Sequence, residues 1–124
     1  MRILVGVDGS DHAKMALVEA IQIAKQFSGF IKVLTVHKQG RETHATNILK
    51  EAEQLVKKQK LPYDLSSVLG TNPSRALVNM ATHENFDLIV VGSRGLSSTA
   101  SILLGGVSRQ VVTNAQCDVL VVKK

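Results

Sequence analysis

Two stretches of this chain carry residue types that suit an anionic ligand. The first is Asp8-Gly9-Ser10, which breaks the apolar run Ile3-Leu4-Val5-Gly6-Val7 and opens a segment of helical periodicity. The glycine permits a tight turn, and Ser10 is a natural N-cap. A helix start offers N–H groups and a partial positive charge, which favour phosphate. Asp8 is then placed to hold a ribose hydroxyl or a phosphate-bound divalent cation. The plainer alternative is that Asp8 and Ser10 only cap the helix.

The second stretch is Gly92-Ser93-Arg94-Gly95, then nine residues, then Gly105-Gly106-Val107-Ser108. Glycines let the backbone approach a ligand, and successive N–H groups in such turns form anion nests. The second glycine turn opens another helix. Arg94 adds a cation able to clamp phosphate oxygens. The competing reading is a plain connection with a glycine-rich cap, in which Ser97, Ser98, Thr99 and Ser101 are simply polar; phosphorylation sites or a lid are the alternatives for these four.

Other chemistries find little support. There is no Gly-x-x-x-x-Gly-Lys-Ser/Thr, and Gly6-Val7-Asp8-Gly9 lacks the spacing of a dinucleotide fingerprint. His12, His37, His44 and His83 have no metal-ligand spacing with Cys117 and read as surface or loop residues. His37 stands apart because it ends a predicted strand. Cys117 precedes another strand and reads as a small packed side chain. No Ser-His-Asp or Cys-His pairing emerges, and no residue is placed as a general base, so no catalytic residue is assigned.

The elements that must position these stretches alternate strictly. Strands are predicted over 3–7, 30–36, 63–69, 87–91 and 119–122, with helices over 11–27, 42–59, 73 to about 85, and 107–114. The first helix places Ala13, Ala16, Leu17, Ala20, Ile21, Ala24 and Phe27 on one face. Asn72-Pro73 is a helix start. The strand over 63–69 has mixed polarity and reads as an edge. Five strands alternating with four helices imply a doubly wound α/β fold, with a parallel sheet and helices on both faces. In such sheets ligands bind beyond the carboxyl ends of the strands, where the winding reverses. Both stretches follow strands.

Length and composition set the class. The 124 residues fit a single domain over 1–124, and 44% hydrophobic with 20% charged residues is ordinary for a globular protein. No apolar run approaches a membrane span, and the start is too short for a signal peptide. The single cysteine fits a reducing compartment, so a cytoplasmic location and no membrane partner are expected. The net charge of +5 suggests an anionic partner. Nucleic acid is not expected, because the lysines are spread along the chain and aromatics are only 3%. The basic residues read as solvated helix faces and termini.

The Gly-two-Gly-nine-Gly spacing at Gly92, Gly95 and Gly105 resembles the ATP-binding signature of the universal stress protein family. The opening segment Ile3 to Ser10 resembles that family's first strand and acidic turn. Val107-Ser108-Arg109-Gln110-Val111-Val112, with Cys117 to Val122, resembles its last helix and strand. The likeness covers essentially the whole chain. It implies a Rossmann-like sheet of order 3-2-1-4-5, the adenine nucleotide alpha hydrolase-like arrangement. It also implies a site for ATP or AMP, with Mg2+ accompanying ATP. Val7, Asp8 and Ser10 would lie by the sugar and phosphates and Val36 against adenine. Gly92, Arg94, Gly95, Gly105, Gly106, Val107 and Ser108 would hold the phosphates. A homodimer through the edge strand Val119, Leu120, Val121 and Val122 is implied as well; the alternative is an edge covered by the terminal lysines.

Two departures from the family pattern stand out. Gly106 replaces the Ser or Thr that follows the third glycine, removing one hydroxyl from the phosphate site, with Ser108 a partial substitute. The connection after the second strand is short, which implies a more open site. The leading expectation is a nucleotide-binding regulatory protein of the stress response. The rivals are a dimeric interaction protein without nucleotide and a slow ATP hydrolase.

Overall fold

A computed structural model describes residues 1–93 and 106–123. Its five strands are β1 (Arg2–Gly6), β2 (Phe30–His37), β3 (Tyr63–Leu69), β4 (Leu88–Gly92) and β5 (Asp118–Val122). They form one sheet in the order β3-β2-β1-β4-β5. All four pairings are parallel. The helices α1 (Asp11–Phe27), α2 (Glu42–Lys57), α3 (Pro73–His83) and α4 (Gly106–Asn114) are the crossovers. The expected strand order and helix number are met. The differences at element ends are small: α2 stops two residues early and α3 at His83.

Burial of both faces explains why the central strands are unbroken apolar runs. Ile3, Leu4 and Val5 of β1 are fully buried, as are Ile89 and Val90 of β4. Ile3, Val5 and Val90 belong to the core under α1 and α2, whereas Leu4 and Ile89 belong to the core under α3. Four alanines of α1, at 13, 16, 20 and 24, are buried and let this helix lie close to the sheet. Phe27 departs from the expected pattern. It is the last residue of α1 and is 62% exposed.

The polar edge reading of β3 is also explained. Lys32 on β2 pairs in register with Asp64 on β3 and lies beside Glu84 just after α3. Its ammonium is 3.0 Å from Glu84 Oε1 and 3.6 Å from Asp64 Oδ2, with the side chain only 11% exposed. Lys32 is therefore not a solvated helix residue. It is a largely buried charge whose burial is offset by two carboxylates.

A candidate nucleotide crevice at the winding reversal

β1 lies between β2 and β4, so the chain winds outward from it in both directions. The carboxyl ends of these three strands open into a single crevice. Its floor includes Gly6, Val7 and Leu34, and α3 closes one side with Pro73 and Leu77. A Cβ on Gly6 would sit 2.9 Å from Leu77 Cδ1, so the glycine makes room for that side chain. The opposite wall is Gly92 and Ser93 with the first turn of α4.

The Asp8-Gly9-Ser10 turn is held as its residue types dictate. Gly9 has φ +88°, a left-handed conformation that favours glycine. Asp8 Oδ1 accepts from Ser10 N at 2.9 Å, and Ser10 Oγ accepts from Ala13 N at 3.2 Å. The capping reading is thus realised. Asp8 nevertheless stays exposed and lines the crevice, with Oδ1 engaged by Ser10 N. Val7 donates its N–H to Leu34 O at 2.9 Å, continuing the β1–β2 ladder into the site.

Of the residues picked from sequence, Val7, Asp8, Ser10, Val36, Gly92, Gly106, Val107 and Ser108 all line this crevice. Arg94, Gly95 and Gly105, and the hydroxyl residues at 97–101, lie outside the described residues. His37 is turned onto its own neighbourhood, with Nδ1 3.0 Å from Lys38 O.

Two local roles differ from the expectation. A Cβ on Gly92 would come within 2.7 Å of both His12 C and His12 O. Gly92 is therefore required by the approach of the α1 backbone, whatever ligand the crevice takes. Ser108 does not stand in for the hydroxyl missing at Gly106: it is 1% exposed, and its Oγ donates to Ser93 O at 3.0 Å. That hydroxyl's single proton is already committed.

Sequence reading missed His12 and Ser93 as a pair. Ser93 Oγ lies 3.1 Å from His12 Nδ1, and Ser93 N donates to Val122 O at 2.9 Å. With the Ser108 bond, one buried serine ties β4 to α1, β5 and α4. The signal was present only as a histidine two residues beyond the turn; its partner is 81 residues away.

Among the described lining residues Asp8 is the single ionisable side chain. The described part of the crevice is otherwise apolar groups, hydroxyls and backbone, with the start of α4 supplying the favourable end of a helix dipole. No cluster of three or more metal-ligating His, Cys, Asp or Glu exists among the described residues. No described helix is long and apolar enough to cross a membrane.

Comparison with known proteins follows the same architecture. The model of the "Universal stress protein family" matches residues 1–123. The chain is 33% identical to a universal stress protein of Methanocaldococcus jannaschii, covering 99% of this chain and 82% of that relative. A Mycobacterium tuberculosis universal stress protein is also 33% identical, covering 97% and 94% of the two chains. A solved universal stress protein in complex with cAMP is 30% identical, with TM-score 0.81 over 98% of this chain and 96% of that one. An Arabidopsis thaliana family protein with AMP bound shares the fold, with TM-score 0.79 at 19% identity over 100% and 92% of the two chains.

Proposed function

The chain belongs to the universal stress protein family, and from that membership we propose that it is an adenine-nucleotide-binding regulatory protein of the stress response. The observation that carries this reading is the crevice itself. It lies at the winding reversal, with Asp8, Val36 and the start of α4 on its walls. The apolar side under α3 suits a base, and Asp8 suits ribose hydroxyls. The first turn of α4 suits a phosphate. The cAMP-bound relative, at 30% identity, supports an adenine nucleotide as the ligand class. ATP or AMP is the ligand proposed here. With ATP, a Mg2+ ion on the phosphates would offset the negative charge of Asp8, whose Oδ2 is the available oxygen.

The proposed assembly is a homodimer through β5. Val119, Leu120 and Val121 are only half-buried at the sheet edge, and an apolar edge strand with unpaired N–H and C=O groups favours pairing with a second copy.

A second reading, an interaction protein that takes no nucleotide, is favoured by two observations on the phosphate side. Gly106 brings no hydroxyl, and that of Ser108 is engaged by Ser93. Calorimetric titration of the nucleotide-stripped chain with AMP and with Mg-ATP decides between them. Saturable binding that Asp8→Ala weakens supports the nucleotide reading. No heat and no thermal shift at millimolar nucleotide overturns it and leaves the interaction protein.

A further inference from the structure

The crevice has a titratable neighbour that is not among its lining residues. His12 stands half-buried in the first turn of α1. Its backbone and Cβ pack so closely on Gly92 that a Cβ there would meet them within 2.8 Å. Its Nδ1 lies 3.1 Å from Ser93 Oγ. Ser93 lines the crevice, and its carbonyl accepts the Ser108 hydroxyl from the first turn of α4 at 3.0 Å. The path from the imidazole through Ser93 to the start of α4 is therefore no more than about 10 Å.

The charged groups around this path are few. Asp11 adjoins His12, and Asp8 lies one turn earlier. β4 carries no charge from Leu88 to Gly92. On the β5 side Lys123 follows Val122, whose carbonyl accepts from Ser93 N, and on α4 Arg109 follows Ser108. Arg94, next to Ser93 in the chain, lies outside the described residues. Of all these residue types histidine alone changes its charge between pH 5 and 8. The other histidines belong to different elements: His37 to β2, His44 to α2 and His83 to α3.

Resting on the nucleotide reading of the crevice, we propose that His12 sets its affinity for a phosphate-bearing ligand, through its own charge and through the Ser93 hydroxyl. Two effects act in one direction. A neutral imidazole can accept the Ser93 O–H on an unprotonated Nδ1. A protonated ring carries N–H on both nitrogens and only donates. Ser93 Oγ then accepts, and its own proton is released for a ligand in the crevice. That donor stands in for the hydroxyl that Gly106 lacks and that Ser108 spends on Ser93 O. The second effect is the charge itself. A cation in the first turn of a helix faces the positive end of the dipole and gains from a nearby anion. One charge about 10 Å from a phosphate, at an effective dielectric constant between about 20 and 80, changes affinity roughly 2- to 15-fold. Phosphate-bearing ligands therefore bind more tightly as pH falls through the histidine range.

Calorimetric titration of the full chain with cyclic AMP and with adenosine, at about pH 5.5 and about pH 8, tests this. The phosphodiester of cyclic AMP keeps one negative charge across that range, and adenosine has none. Expected is severalfold tighter binding of cyclic AMP at the lower pH, with adenosine the same at both. His12→Asn keeps a hydrogen-bonding group for Ser93 but cannot become charged, so it should flatten the pH profile. His37→Gln should leave the profile as it is. The proposal is overturned by equal affinity for cyclic AMP at both pH values, by the same gain for adenosine, or by a gain that survives in His12→Asn. It is also overturned if adenosine binds and cyclic AMP does not. The adenosine comparison uses the unaltered chain, so it decides even if His12→Asn fails to fold. Binding that ignores pH sinks the role of His12 alone. No binding of cyclic AMP, adenosine or AMP at either pH sinks the nucleotide reading and the role of His12 with it.

Discussion

Ser108 Oγ donates to the carbonyl of Ser93 over 3.0 Å in a buried setting, joining the residue just before segment 94–105 to the first turn of α4 after it. The bond sets the start of α4 against the end of β4, so the crevice wall is one unit. Ser108→Ala leaves the buried Ser93 carbonyl without that donor, which costs about 1–3 kcal/mol. Urea unfolding should show this as a lower midpoint at unchanged slope. Wild-type stability in Ser108→Ala would mean the bond contributes nothing.

Gly92 makes a stronger demand. Its missing Cβ leaves room for the His12 backbone, which has no rotamer with which to move aside. Gly92→Ala should destabilise by about 1–3 kcal/mol as overpacking, and Gly92→Val should fail to give a folded protein. Any nucleotide binding lost in these variants then reports packing. Circular dichroism and melting temperature check it: a Gly92→Val protein that melts with the parent would refute the contact.

The strand and helix alternation and the two glycine turns were legible because they depend on local signals, namely apolar runs, turns and caps, whereas the strand order and most of the crevice residues came from the family resemblance. What was not legible depends on which strands become neighbours. His12 reads as a surface histidine until β4 is placed beside β1, and only then does Ser93 come within reach. Lys32 reads as one of many scattered lysines until Asp64 and Glu84 arrive beside it. Phe27 fits the helical apolar stripe, yet as the last residue of α1 it stays in water. Periodicity says which way a residue points on its own element and nothing about where the next element stops.

Cys117 offers a pH-dependent check on the region between α4 and β5. Partial burial pushes its thiol above the ordinary cysteine value, and the negative charge of Asp118 adds to the effect. A raised value keeps the thiol neutral in the folded state. Its contribution to stability is full below the unfolded thiol's value and is lost as pH rises through the folded one. Alkylation of the native protein near pH 8 should therefore be slower than that of the urea-unfolded chain, with the gap narrowing as pH rises further. Equal rates near pH 8 would show an unshielded thiol.

Gly106 is the position where the crevice can be improved. No described residue lies within 4 Å of a Cβ built there, and its φ is not in the left-handed range. Gly106→Ser should therefore fold without strain, and it gives back the hydroxyl that the family pattern carries at the start of α4. A hydroxyl donating to a charged phosphate is worth about 1–3 kcal/mol, so AMP or ATP should bind roughly 5- to 150-fold more tightly. The hydroxyl of Ser108 cannot mask the gain, since it stays on Ser93. Calorimetry of parent and Gly106→Ser side by side gives the answer. Tighter binding in the variant places the phosphates at the start of α4. Unchanged affinity in a protein that does bind nucleotide would move the phosphates elsewhere in the crevice and refute that part of the assignment.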